Sequence, residues 1–162
     1  MALRCAVRPR TPVQDEIDRQ IVALLREGAR RSFREVGETV GLSAPAVKRR
    51  VDRLEAAGVI TGYTAVLDPA LFGWSMQAVV SLYCEGTMAA DEVRAAVESH
   101  AEVVAAYTVA GEASAVLVVR ASDTGHLERL LERLREHRGV LRTQTQIVLS
   151  TLFERPLRLD EP

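Results

Sequence analysis

The stretch SFREVGETVGLSAPAVKRRVDRLEAAGVI, residues 32–60, decides the fold of the N-terminal part of the chain. Ser32 is followed three residues later by Glu35, the spacing of a capping box. In that motif the serine oxygen takes the amide of the glutamate, which reaches back to the cap amide. Phe33, Val36 and Val40 share one helix face, and Gly41 suits a left-handed stop. Ser43 is expected to cap the next helix, with Pro45 in its first turn, where a missing amide costs nothing. Val47, Val51 and Leu54 form its inner stripe, and Gly58 ends it. Two helices joined by a short turn containing glycine predict a helix-turn-helix.

Working outward, residues 14–27 read as a preceding helix, with Ile17, Ile21, Leu24 and Leu25 on one stripe and Gly28 as its stop. Residues 59–68, VITGYTAVLD, read as a β-rich strand or wing with a bend at Gly62, and 69–74, PALFGW, as a hinge. The period then changes. Strands are expected at 76–84, 103–110, 113–121 and 142–153, with a tight turn at Gly111-Glu112. Helices are expected at 89–99 and 124–137, the latter carrying Leu127, Leu130, Leu131 and Leu134 on one face. The order is βαββαβ, a ferredoxin-like arrangement. The fold class is therefore α+β: an N-terminal winged helix-turn-helix and a C-terminal βαββαβ domain.

The strands are apolar on both faces. Ala115, Leu117 and Val119 alternate with Val116 and Val118, and Ile147 and Leu149 with Val148. Two helices cover only one face of a four-stranded sheet, so the other needs a further layer. A second copy is the simplest supplier, which predicts a dimer built through sheet faces.

Composition bounds the partners. The 162 residues are 48% hydrophobic and 27% charged, an ordinary globular composition. No apolar run approaches the roughly 18 residues of a membrane span. The net charge of −1 hides an asymmetry: residues 1–68 carry net +3 and residues 69–162 net −4. Cys5 and Cys84 are too far apart for a metal or redox motif, and two lone thiols suit a reducing cytoplasm. Residues 1–12, MALRCAVRPRTP, hold three arginines and no acid, and no apolar segment of a secretory signal follows them. Neither a metal nor a cofactor is expected.

Function concentrates on the helix that follows Ser43. Stepping about 100° per residue from Val47 puts Arg49 near 200° and Arg53 near 240°, away from the core stripe, with Lys48 to the side. A recognition helix enters the major groove by its N-terminal residues, and Ser43, Ala44 and Pro45 are small enough to let the backbone come close. Arg49 has the reach and fork for guanine O6 and N7, while Lys48 and Arg53 suit phosphates. Asp52, on the same face, would oppose a phosphate or accept from a cytosine amine. With Ser32 at the start of the preceding helix, the candidate DNA-contacting set is Ser32, Ser43, Ala44, Pro45, Lys48, Arg49 and Arg53.

The run from Gln14 to Gly73 resembles the N-terminal region of the Lrp/AsnC family of transcriptional regulators. The matches are VGLS at 40–43, Val47 with Arg50, RLEAAGVITGY at 53–63 and LDPALFG at 67–73. The remainder resembles that family's ligand-sensing module, often called the RAM domain, so the likeness spans residues 13–155. The resemblance implies operator DNA as a partner, a dimer assembling further to an octamer (a tetramer of dimers), and an amino acid or related metabolite as effector. It divides the chain into an arm at 1–12, a DNA-binding domain at 13–60, a linker strand and hinge at 61–74, a sensing and oligomerisation domain at 75–155 and a tail at 156–162. It places the effector at Tyr107, at Val109, Ala110, Gly111, Glu112, Ala113 and Ser114, and at Thr143, Gln144 and Thr145. Backbone amides at a glycine turn receive a carboxylate. The family usually carries an acidic residue three positions after that glycine. Ser114 stands there and offers no charge to a ligand's ammonium.

No G-x-S-x-G elbow, phosphate-binding loop or H-E-x-x-H pair occurs, and His100, His126 and His137 are scattered. Two alternatives stay open: an enzyme like the sirohaem decarboxylases, which resemble this family and use histidines in the same module, and an architectural DNA-bending protein without effector. Lys48, Arg49 and Arg53 on one helix favour the regulator.

Overall fold

A computed structural model describes residues 15–86 and 88–155. The predicted arm at 1–12 and tail at 156–162 lie outside the described residues. The chain divides into two compact units, one up to Ala65 and one from Val66 to Glu154.

The first unit is three helices: α1 (Glu16–Glu27), α2 (Phe33–Val40) and α3 (Ala44–Ala56). Asp15 caps α1, its carboxylate accepting the Asp18 amide at 2.7 Å. The capping box of α2 is complete: Glu35 N–H donates to Ser32 Oγ at 3.2 Å, and Ser32 N–H donates to the Glu35 carboxylate at 2.6 Å. Gly41 sits at φ 73°, and the Gly41 and Leu42 amides both fold back onto the Gly37 carbonyl. Ile21, Leu25, Val36, Val47, Val51 and Leu54 form the core. Burying each such side chain contributes about 1.5–3 kcal/mol.

Two expectations fail in this unit. Ser43 has the backbone of an N-cap, but its side chain makes no cap hydrogen bond. Pro45 at the second helical position has no amide to donate, and Ala46 at the third has no polar side chain to complete a capping box as Glu35 does for Ser32. The predicted strand at 59–68 is absent. Residues 61–68 are exposed and pair with nothing, because the described part of this unit contains no other strand to complete a ladder. Tyr63 anchors the segment by donating its hydroxyl to Glu55 at 2.9 Å. The predicted hinge contains a short 3₁₀ turn, Pro69–Phe72, capped by Asp68 and closed by Gly73 at φ 84°.

The second unit follows the predicted order, with β1 (Met76–Cys84), α4 (Ala90–Val97), β2 (Val103–Thr108), β3 (Ala115–Ala121), α5 (Thr124–Glu136) and β4 (Val140–Ile147). The antiparallel sheet runs β2-β3-β1-β4. Ala78, Val80 and Leu82 of β1 and Ala115, Leu117 and Val119 of β3 pack with Val93 and Val97 of α4 and Leu127, Leu130 and Leu134 of α5. Val79, Val116 and Val118 point to the opposite face and stay half-exposed. The alternation read from β3 therefore holds.

The last strand is shorter than expected. It begins at Val140 and stops at Ile147, leaving Leu149, Leu152 and Phe153 exposed. Both edge strands are bulged. The register jumps between Val103 and Ala105, and between the partners of Tyr83 and Cys84, so Val104 and Leu141 drop out of the ladder. Bulges of this kind twist an edge away from further pairing.

Candidate nucleic-acid interface and effector site

The outward face of α3 is set by how the helix is held. Gly37 is buried in α2, and a Cβ there would collide with the Leu42 carbonyl oxygen and meet Val47 Cγ2 at 3.5 Å. A bare glycine therefore lets the turn close tightly onto α2. Gly37 carries one signal in the sequence, a glycine inside an apolar-periodic helix, which marks a packing need.

A second restraint comes from α1. Asp18 is fully buried and pairs with both Arg50 (2.8 Å) and Arg53 (2.6 Å) of α3. Arg50 also reaches Asp15 at 2.6 Å. The Arg50 bond, then the Asp18 amide, hold the Asp15 carboxyl below its ordinary value of 3.8, and the same pairing raises Arg50. A buried carboxylate is tolerated when two guanidinium groups satisfy it. Asp18 was legible only as an acid in the first turn of α1, because ion pairing across 32 and 35 residues has no local signature.

The predicted DNA-contacting residues are placed as follows. Ser43 and Pro45 are exposed at the start of α3, and Ala44 is half-buried. Arg49 is exposed and has no ion pair among the described residues. Lys48 and Arg53 are exposed but already paired, Lys48 with Asp52 at 2.6 Å and Arg53 with Asp18. Any phosphate contact by either would have to compete with these carboxylates. Ser32 is spent on the α2 capping box, its hydroxyl lying 2.8 Å from Glu35 Oε2.

The predicted effector residues flank one end of β1. The Ser114 amide donates to the Leu82 carbonyl at 2.8 Å, and on the other side Thr143 is the register partner of Leu82. The two groups stand two strand spacings apart, about 9–10 Å. Val109, Ala110, Gly111 and Glu112 are exposed, Ala113 is half-buried, and Gly111 sits at φ 140°. Ser114 Oγ accepts the Cys84 amide at 3.1 Å, so this hydroxyl completes the ladder beside the β1 irregularity. Gln144 accepts the Tyr83 hydroxyl at 3.0 Å, and the Arg142 guanidinium lies 3.4 Å from the Tyr83 ring centre. Tyr107 faces the same uncovered side of the sheet by register, opposite Val116, whereas Thr143 and Thr145 face the helices.

The histidines are dispersed. His126 accepts the Ser122 amide on Nδ1 at 3.3 Å, which leaves Nε2–H to donate to Glu102 at 3.0 Å. Arg133 also bonds Glu102. His137 accepts the Gly139 amide. No group of three or more ligating side chains is gathered for a metal among the described residues.

Comparison with known proteins agrees with both units. Residues 15–55 match the AsnC-type helix-turn-helix domain, and residues 77–157 match the Lrp/AsnC ligand binding domain. The chain is 48% identical over 141 residues to the HTH-type transcriptional regulator Rv2324 of Mycobacterium tuberculosis, covering 87% of this chain and 95% of that protein. Two solved structures are similar. The feast or famine regulatory protein Rv3291c of M. tuberculosis, complexed with L-methionine, has a TM-score of 0.83 at 37% identity, covering 90% of this chain and 98% of that one. The transcriptional regulator NMB0573 of Neisseria meningitidis, also an L-methionine complex, has a TM-score of 0.84 at 28% identity, covering 91% and 97%. With both units matched along nearly the whole chain, this protein belongs to the Lrp/AsnC family of transcriptional regulators.

Proposed function

We propose that this regulator reads operator DNA with the outward face of α3 and acts by binding and assembly, without catalysing a reaction. The observation that carries the reading is Arg49: exposed, unpaired among the described residues, and on a helix fixed by Gly37 and Asp18. Arg49 is the base reader, forking onto a guanine, and Ser43, Ala44 and Pro45 supply the close backbone approach. Arg49→Ala costs about 1–3 kcal/mol of operator affinity and relaxes preference at one base pair. Gel shifts on the DNA upstream of its own gene check this, and unchanged affinity and preference would remove Arg49 from the role.

The second unit senses a small metabolite and assembles the chain, at least to a dimer and, by family likeness, to an octamer; the whole works in the cytoplasm. The turn at 109–114 offers backbone amides to a carboxylate. Ser114 is neutral and already bonded to Cys84, so the acid within this turn that is available to a ligand's ammonium is the exposed Glu112. The two L-methionine complexes among similar proteins support an amino-acid-sized ligand in this fold. Ser114→Asp is expected to gain a thermal shift with an L-amino acid that the natural sequence lacks. No shift in either form, across a panel of amino acids, would count against sensing at this turn.

A further inference from the structure

The reading of α3 as the DNA helix leaves its charges unexplained. The helix carries four cations, Lys48, Arg49, Arg50 and Arg53. Three are held by carboxylates, two of them across to α1 and one along α3 itself. The Lys48–Asp52 pair is an exposed pair one turn apart, as are Arg31–Glu27 and Arg34–Glu38, whereas the pairs with Asp18 run to a buried acid. Arg53 is half-exposed at 49%, yet it reaches inward to a fully buried acid. Asp52 lies one turn beyond Lys48 and takes its ammonium at 2.6 Å.

Non-specific affinity for DNA comes almost wholly from cations meeting phosphates, and it shows in the salt dependence of binding. Each phosphate neutralised adds about 0.9 to the slope of log K against log salt. Base reading by one guanidinium adds discrimination instead. A helix with one free cation and three paired ones therefore separates the two contributions.

We propose that Asp18 and Asp52 are specificity-determining residues that withhold Arg53 and Lys48 from DNA phosphates, keeping attraction to unrelated sequence low and leaving discrimination to Arg49. They touch no DNA and act through the cations they hold. This rests on α3 being the DNA-facing helix.

The test is the salt dependence of binding by the full chain, on its operator and on a duplex of unrelated sequence, for the natural protein, Asp52→Asn and Asp18→Asn. Asp52 is exposed, so Asp52→Asn keeps the fold even where the buried Asp18→Asn does not. The expected result for Asp52→Asn is a slope on unrelated DNA steeper by about 0.9 per reader. Its operator-to-unrelated affinity ratio falls several-fold. Returning the freed cation to neutrality in Asp52→Asn/Lys48→Gln restores the original slope. A purely structural role for these acids would lower the melting temperature and leave the slope unchanged. Unchanged slopes in Asp52→Asn, with operator binding intact, overturn the proposal while α3 remains the reader. No measurable binding of the natural protein to either duplex overturns the reading and the proposal together.

Discussion

Ser32 and Ser43 occupy equivalent N-cap positions eleven residues apart, and only one of them caps with its side chain. Ser32 accepts an amide and shares its own with Glu35, whose carboxyl is held below 4.5 first by the Ser32 amide and then by the Ser32 hydroxyl. Ser32→Ala therefore costs about 1 kcal/mol, read as a lower melting temperature, and Ser43→Ala leaves that temperature nearly unchanged. Equal losses at the two sites would show that Ser43 caps α3 in solution. The serine pattern was legible at both positions. What differs is the third helical residue: Glu35 answers Ser32 with its carboxylate, whereas Ala46 has no polar side chain to answer Ser43.

Among elements, the helices and the inner strands were legible because their period comes from burial of one face. β1 was bounded correctly at 76–84, and the stripes of α3 and α5 were named residue by residue. Segments whose state depends on a partner were not legible. Residues 59–68 have strand composition and no neighbour to pair with, and β4 ends at Ile147, with one further bond from the Val148 amide to the Gln77 carbonyl at 2.9 Å. Of the candidate site, the exposed Arg49 was legible; the pairing of Lys48 and Arg53, and the placement of Ser114 against Cys84, needed the folded chain.

The α5 anchor illustrates the same limit and carries a pH prediction. Burial works to raise the Glu102 carboxyl, but hydrogen bonds from its own backbone amide, from His126 and from Arg133 outweigh it and hold the group below 4.5. A carboxyl lowered on folding stabilises the protein above its unfolded value. That stability is lost as pH falls through the lower folded value. Glu102→Gln is accordingly expected to lower the melting temperature at neutral pH, with the deficit shrinking towards acid. A deficit constant with pH would assign Glu102 a packing role alone.

At the scale of the molecule, the two units differ in charge and in what they leave uncovered. The helices cover one face of the sheet, and the other presents Val79, Val116, Val118 and Tyr107. The bulges at Val104 and Leu141 disfavour growth of the sheet through its edges, which favours the face for the dimer proposed above. Val118→Lys is expected to lower the mass seen by light scattering towards that of a single chain, with secondary structure retained. An unchanged mass would place the contact elsewhere. Pairing also bears on charge: the reading unit is only modestly basic, so two such units on adjacent half-sites multiply a weak attraction.

Trp74 is the single tryptophan of the chain. It lies just before β1, with its ring 5.8 Å from that of His126. Its emission therefore belongs wholly to the second unit, while the first unit, helical throughout its described elements, contributes to far-ultraviolet dichroism and nothing to that emission. Emission follows the second unit alone and dichroism follows both, so dichroism change that emission does not track belongs to the DNA reader.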